Sequence, residues 1–309
     1  MHFRNIKDED FIIINNELSK TDYNGCDYSK TYLKSWSFFR YDTMQVAQCD
    51  NIVFLRFETP VHILDEEFFN GKTPKYVYLA PLTTKDNFKK GFELILEQVK
   101  EDGDYLLIDG VTQDHLDAVK ELGLEPIYNR DYSEYLYDPT DLINFSGKKY
   151  HGKRNHIAKF DKLYSYEFRP LQKGDCEGLA ALISNWESKK DEEYIEDDKQ
   201  EEEGAIRTQI EASMSEENIH AYCLLVDNKI IGFSLVEITP SGVAIEHIEK
   251  ANVAYDGVYS KLLNLVAKEC FKDVRIVNRQ EDMGDEGLRK SKLSYHPIGL
   301  LESYFIKNF

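Results

Sequence analysis

The chain has few cysteines and uses them sparsely. Cys26, Cys49, Cys176, Cys223 and Cys270 are odd in number, far apart and never in a Cys-x-x-Cys pair. That excludes a disulfide framework, and reduced thiols are expected. No apolar run approaches the ~20 residues needed to span a bilayer. The first ten residues, Met1 to Asp10, lack the apolar stretch of a signal peptide, so no integral membrane segment and a cytoplasmic location are expected. Positive charge is scarce. Lys plus Arg number 38 against 56 Asp plus Glu, a net −18, which argues against DNA and against general adhesion to anionic membranes. No Walker loop, Gly-x-Gly-x-x-Gly or Gly-x-Ser-x-Gly occurs, and no histidine pair has His-x-x-x-His spacing beside an acid. No metal is expected.

Core-forming material is plentiful. With 309 residues, 42% of them hydrophobic and including 20 Tyr and 17 Phe, the chain can fill two cores. Hydrophobic periodicity predicts a hairpin over 45–58, a strand at 76–80, a helix at 85–101, a strand at 105–108, a helix at 112–122 and a strand at 127–137. The same order returns later: a hairpin over 219–238, a strand at 243–248, a helix at 256–271, a strand at 274–277, a helix at 285–295 and a strand at 300–306. Both halves read strand–strand–strand–helix–strand–helix–strand, offset by about 170 residues. An α+β protein made of two copies of one unit is expected, with a first unit over 1–140 and a second over 141–309.

Two segments between the halves differ in character. Residues 191–203 are almost all acidic and read as a solvated, mobile surface segment. Residues 142–160 contain no acid. As a helix over 148–163 they place Tyr150, Ile157, Phe160 and Tyr164 on one face, with Lys153 inside that stripe and Arg154 at its edge. Lys153 either snorkels to solvent or, with Arg154, receives a phosphate or carboxylate of a substrate.

The strand around residues 242–250 should be central, yet it carries Glu246, His247 and Glu249. Alternation puts Glu246 on one face and His247 with Glu249 on the other. Either the strand frays there, or the charges mark a working site with Glu246 as general base. The loop over 278–287 follows a short buried strand and opens a helix, which Asp285 can cap. Its Arg279 and Asp282 are suited to the carboxylate and amine of an amino acid, or else form surface salt bridges.

The stretch Lys148-Lys149-Tyr150-His151-Gly152-Lys153-Arg154-Asn155-His156-Ile157 resembles the carboxy-terminal catalytic domain of phosphatidylglycerol lysyltransferases. So do Glu249-Lys250-Ala251-Asn252, Asn278-Arg279-Gln280-Glu281-Asp282-Met283-Gly284 and Lys292-Leu293-Ser294-Tyr295-His296-Pro297, and Trp36-Ser37-Phe38 in the first half is similar to that family. The resemblance covers nearly the whole chain. It implies a tandem pair of GNAT-type folds, with the second unit supplying the cleft and the first serving as structure. It also implies an acyl-group transferase that moves an aminoacyl group from aminoacyl-tRNA to an amine or hydroxyl acceptor. On this reading Glu246 and Tyr295 are catalytic. Lys153, Arg154, Asn252, Tyr255, Arg279 and Asp282 bind substrate, and no cofactor is required. Acyl-CoA-dependent N-acetylation is the first alternative, although the turn over 251–259 has a single glycine where coenzyme A needs backbone donors. A non-catalytic nucleotide- or peptide-binding module is the second.

Overall fold

A computed structural model describes residues 1–36, 41–60, 69, 71–187 and 196–308. It divides into two compact units. The first comprises Met1–Glu134, Glu281–Gly284 and Leu300–Phe309, and the second Tyr135–Gln280 and Asp285–Gly299.

The first unit opens with β1 (Arg4–Asn5), α1 (Phe11–Leu18) and α2 (Lys30–Ser35). It continues through β2 (Gln45–Cys49), β3 (Ile52–Glu58), β4 (Tyr76–Leu79), α3 (Phe88–Asp102), β5 (Leu106–Thr112), α4 (Leu116–Glu121) and β6 (Pro126–Tyr137). Asp50 and Asn51 turn the β2–β3 hairpin with φ of 49° and 63°, a two-residue reversal that short polar side chains tolerate. Strand alternation then builds two cores. Val53, Leu55 and Phe57 pack with Phe11, Ile14 and Leu33, while Ile52 and Phe54 pack with Phe92, Ile95 and Val99 of α3. β1 to β4 are antiparallel neighbours in sequence order, and β4 pairs in parallel with β5.

The second unit continues from the end of β6 with α5 (Pro139–Asn144), α6 (His151–Leu163), β7 (Tyr166–Pro170), α7 (Cys176–Glu187) and α8 (Glu196–Ser213). β8 (Ile219–Val226), β9 (Lys229–Ile238), β10 (Val243–Ala251), α9 (Val258–Cys270), β11 (Ile276–Asn278), α10 (Glu286–Leu293) and β12 (Gly299–Asn308) complete the chain. β7 to β10 are antiparallel, β10 and β11 parallel, and β11 pairs with the last residues of β6. The seven-element order expected for each half is present in both. A leading strand and two helices, β1-α1-α2 and β7-α7-α8, precede it each time, and periodicity had not revealed them.

Two findings depart from the sequence reading. Part of the acidic run, residues 191–195, lies outside the described residues, and residues 196–203 open α8, a helix that the sequence reading had not assigned. Acids at a helix amino terminus are favoured by its dipole. The chain's last strand also leaves the unit that precedes it. β12 pairs antiparallel with β5, from Ser303 opposite Thr112 to Asn308 opposite Leu106, and lies between β5 and β6 in the first unit. In the second unit the end of β6 takes the corresponding place beside β11. Each unit therefore contains a final strand from the other half, and a boundary at 140/141 does not coincide with the compact units.

Candidate functional site

The second unit gathers Glu246, Glu249 and Arg279 where β10 and β11 part. Their parallel pairing ends at Ile245 opposite Asn278, while β10 runs on to Ala251 with β9 as partner. The register against β9 also shifts between Glu246 and Ile248, so His247 is an extra residue. This bulge corrects the alternation argument. Glu246 and Glu249 both bond one guanidinium, Arg279 donating from Nε to Glu246 and from Nη2 to Glu249. Simple alternation would have separated them.

The bulged residue is itself anchored. His247 Nε2 lies 2.9 Å from Glu237 Oε2, and its Nδ1 lies 3.3 Å from Gln280 Nε2. Just beyond β11, Arg279 N–H donates to Tyr135 O at 3.0 Å and Tyr135 N–H to Gln280 O at 3.1 Å. Lys292 Nζ donates to the carbonyl oxygens of Arg279 and Gln280, so α10 also secures the loop that presents Arg279. Sequence reasoning missed Lys292 as a site residue. Its position three residues before Tyr295, in the same quoted stretch, was the available signal.

The guanidinium is almost fully buried. Its side chain is 10% exposed, with Glu246 at 2% and Glu249 at 9%. Tyr295 and Tyr137 flank it, their ring centroids 4.9 and 5.7 Å from Cζ. Burial opposes its charge, but Glu246 and Glu249 more than offset this and hold it protonated. Burial pushes Glu249 above the usual carboxylate range, with Arg279 opposing and Glu246 reinforcing the shift. Burial also raises the Tyr295 phenol, which therefore stays protonated, and its oxygen lies 3.5 Å from Ser260 Oγ. Two polar atoms in this cluster have no hydrogen-bond partner although both are buried: Glu249 Oε1 and Arg279 Nη1. One is a carboxyl oxygen and the other a cationic donor.

Lys153 joins the same cluster. Its Nζ sits 3.3 Å from the Tyr295 ring centroid and donates to Ser294 Oγ at 2.7 Å. Burial, then the Arg279 charge, pull its ammonium down to about 8. The other expected residues lie elsewhere. Arg154 donates to the backbone carbonyls of Phe145 and Gly147, in the turn that ends α5. Asn252 Oδ1 accepts the Ala254 N–H at 3.0 Å, and the Tyr255 ring packs 5.1 Å from that of Tyr164. Asp282 belongs to the first unit, where it is fully buried with Arg130 as an ion-pair partner at 3.2 Å. Arg279 and Asp282, three residues apart in the loop, thus fall in different units.

One group among the described residues has metal-ligating types close together, Cys26, Asp27 and Glu134 of the first unit, with ligand atoms within 4.8 Å. Tyr23 donates to Asp27 at 2.5 Å, and burial raises both Asp27 and the Cys26 thiol. All five cysteines are free. No helix among the described residues is long and apolar enough to cross a membrane.

The chain resembles known proteins along most of its length. An uncharacterised protein of Mycoplasmoides gallisepticum is 24% identical over 286 residues, 91% of each chain. A crystal structure of a conserved protein of unknown function from Bacteroides thetaiotaomicron superposes with a TM-score of 0.84 at 26% identity, covering 99% of both chains. The carboxy-terminal domain of a putative lysylphosphatidylglycerol synthetase from Agrobacterium fabrum shares the fold, with a TM-score of 0.64 at 13% identity over 97% of this chain and 91% of that one. The α+β architecture is thus that of the carboxy-terminal domain of this synthetase. Residues 70–307 match the model of the phosphatidylglycerol lysyltransferase carboxy-terminal domain, and the chain belongs to that family.

Proposed function

We infer that the second unit transfers an aminoacyl group from the ester of an aminoacyl-tRNA to an amine or hydroxyl acceptor. Membership of the family and its fold support acyl or aminoacyl transfer in general. The observation that favours the aminoacyl form is the unpartnered pair Glu249 Oε1 and Arg279 Nη1. A buried carboxyl oxygen beside a buried cationic donor leaves two desolvated groups unsatisfied, and an α-ammonium, whose charge draws the proton off Glu249, next to an ester carbonyl matches both. A plain acetyl group would satisfy only one.

On this reading Arg279 Nη1–H stabilises the oxyanion formed when the acceptor attacks the carbonyl. The acceptor's proton passes to the neutral amine of Lys153, whose pKa of about 8 suits that exchange. The ester C–O bond then breaks, and the departing ribose oxygen takes a proton from the Tyr295 phenol or the Lys153 ammonium. Glu246, already bonded to Arg279 and to Ser234 Oγ at 3.3 Å, holds the guanidinium in place. Asn252 and Tyr255 shape the neighbouring turn. Most of the rate comes from holding two substrates together.

Thermal-shift titration with a non-hydrolysable aminoacyl-adenosine amide and with acetyl-CoA tests the assignment. Several degrees of stabilisation by the amide are expected, reduced to nothing in Glu249→Gln and Arg279→Lys. Stabilisation by acetyl-CoA alone would reverse it in favour of N-acetylation.

A further inference from the structure

The cluster around Arg279 holds more positive than negative charge, and that imbalance bears on which groups it accepts. Arg279, Lys153 and Lys292 supply the cations. Glu246 and Glu249 answer them. Glu246 accepts from Arg279 Nε and, at 3.3 Å, from Ser234 Oγ, while Glu249 accepts from Arg279 Nη2. Glu237, which anchors the bulge, is bonded to His247 at 2.9 Å. Among the described residues Lys153 forms no ion pair. Its ammonium rests on Ser294 Oγ at 2.7 Å and on the Tyr295 face, 3.3 Å from the ring centroid. The Arg279 guanidinium lies 4.9 Å from that same centroid, so one ring already serves two cations.

Lys153 reports the field at this place. Burial and then the Arg279 charge pull its ammonium down to about 8, and the attraction of Glu249 is smaller than the Arg279 repulsion. An ammonium brought in by a ligand meets that field together with the charge of Lys153 itself. The α-ammonium of an aminoacyl group is provided for, since Glu249 Oε1 is the one carboxyl oxygen of Glu246 and Glu249 without a hydrogen-bond partner. A second ammonium, at the end of a side chain, has no second such oxygen. A lysyl stem reaches roughly 6 Å from its α-carbon, inside the ~8 Å over which salt screens even exposed charges. Its terminal charge therefore stays in the field of Arg279 and Lys153 whichever rotamer it adopts.

We propose that Lys153 makes the site select against cationic side chains, so that the group transferred is an aminoacyl group whose only positive charge is its α-ammonium. Lysyl and arginyl groups are thereby excluded. This selection presupposes the aminoacyl transfer inferred above and names the residue that sets the choice.

Isothermal titration of the full chain near neutral pH, with the 6-hydroxynorleucyl and lysyl amides of 3′-amino-3′-deoxyadenosine, tests it. The two probes share one stem length and a polar end, and differ in the terminal charge. The hydroxynorleucyl amide is expected to bind at least about tenfold more tightly. Lys153→Met, which keeps an unbranched stem and removes the charge, is expected to raise lysyl affinity several-fold while leaving the hydroxynorleucyl amide within about twofold. Lys153→Glu is expected to invert the order. Equal or tighter lysyl binding by the native protein, or an unchanged ratio in either folded variant, would overturn the proposal and leave aminoacyl transfer standing. Binding of neither amide would overturn both.

Discussion

Lys153 is a cation that sequence periodicity placed on an apolar stripe, and its surroundings explain how that is tolerated. The ammonium lies against the face of Tyr295 and on Ser294 Oγ, half-buried beside the Arg279 charge. Both burial and a like charge disfavour protonation, so its pKa falls instead of the side chain leaving. The sign is opposite to that of an exposed lysine in a salt bridge. Below about pH 8 the folded protein carries an unfavourable charge that the unfolded chain bears freely. As pH rises through about 8 the folded amine loses its proton before the unfolded one, and stability rises. Acylation of lysines by a water-soluble active ester, read by mass spectrometry, should give Lys153 a midpoint near pH 8, well below that of the solvent-exposed lysines. A midpoint shared with Lys148 would show that Lys153 is an ordinary surface group.

At the level of elements, the junction between α9 and the turn before it depends on one glycine. Gly257 is the α9 N-cap with φ of 83°, and a Cβ there would approach the His156 carbonyl oxygen of α6 to 2.3 Å. Neither the backbone conformation nor the space suits any other residue. Lys159 with Asp256 and Lys261 with Asp161, both at 2.7 Å, pair across the same contact. Gly257→Ala is expected to cost about 1–3 kcal/mol in denaturant unfolding, through strain and loss of close helix packing. An unchanged midpoint would mean that α6 shifts freely, and the basic helix would then be a poor support for Lys153. The bulge at His247 acts on the same scale. One inserted residue turns two carboxylates toward a single arginine, and the hydrogen bonds of His247 to Glu237 and Gln280 fix where the insertion falls.

For the whole molecule, the exchange of final strands sets which parts of the chain must be present together. β12 is covered on one side by β5 and on the other by β6, and Ile306 is fully buried in the first unit's core. Removing residues 300–308 would leave two strand edges and an apolar gap in the first unit, although the missing segment follows the second. Hydrogen exchange on such a truncated chain should lose protection in β5 while β8 and β9 retain it. Loss confined to the second unit would contradict the exchange.

How much of this was legible beforehand depended on the range of the interaction. The hairpins turned by Asp50-Asn51 and Asp227-Asn228, the amphipathic α3 and α9, and the repeated order follow from neighbours within a few residues, and periodicity reports those directly. The same local reading marked Lys153 and Glu246 as charges within apolar patterns and Arg279 in the loop after a buried strand, whereas Tyr295 came only from the family resemblance. It did not tell which carboxylate meets Arg279, since a bulge changes facing by one residue and leaves no compositional trace. It likewise had no means of assigning Asp282 to Arg130, or β12 to β5. Sequence alone determined the elements, their duplication and the chemical types near each strand end. Tertiary structure decided the partners, because strand pairing and ion pairing between distant segments depend on register and burial, which arise only when those segments pack.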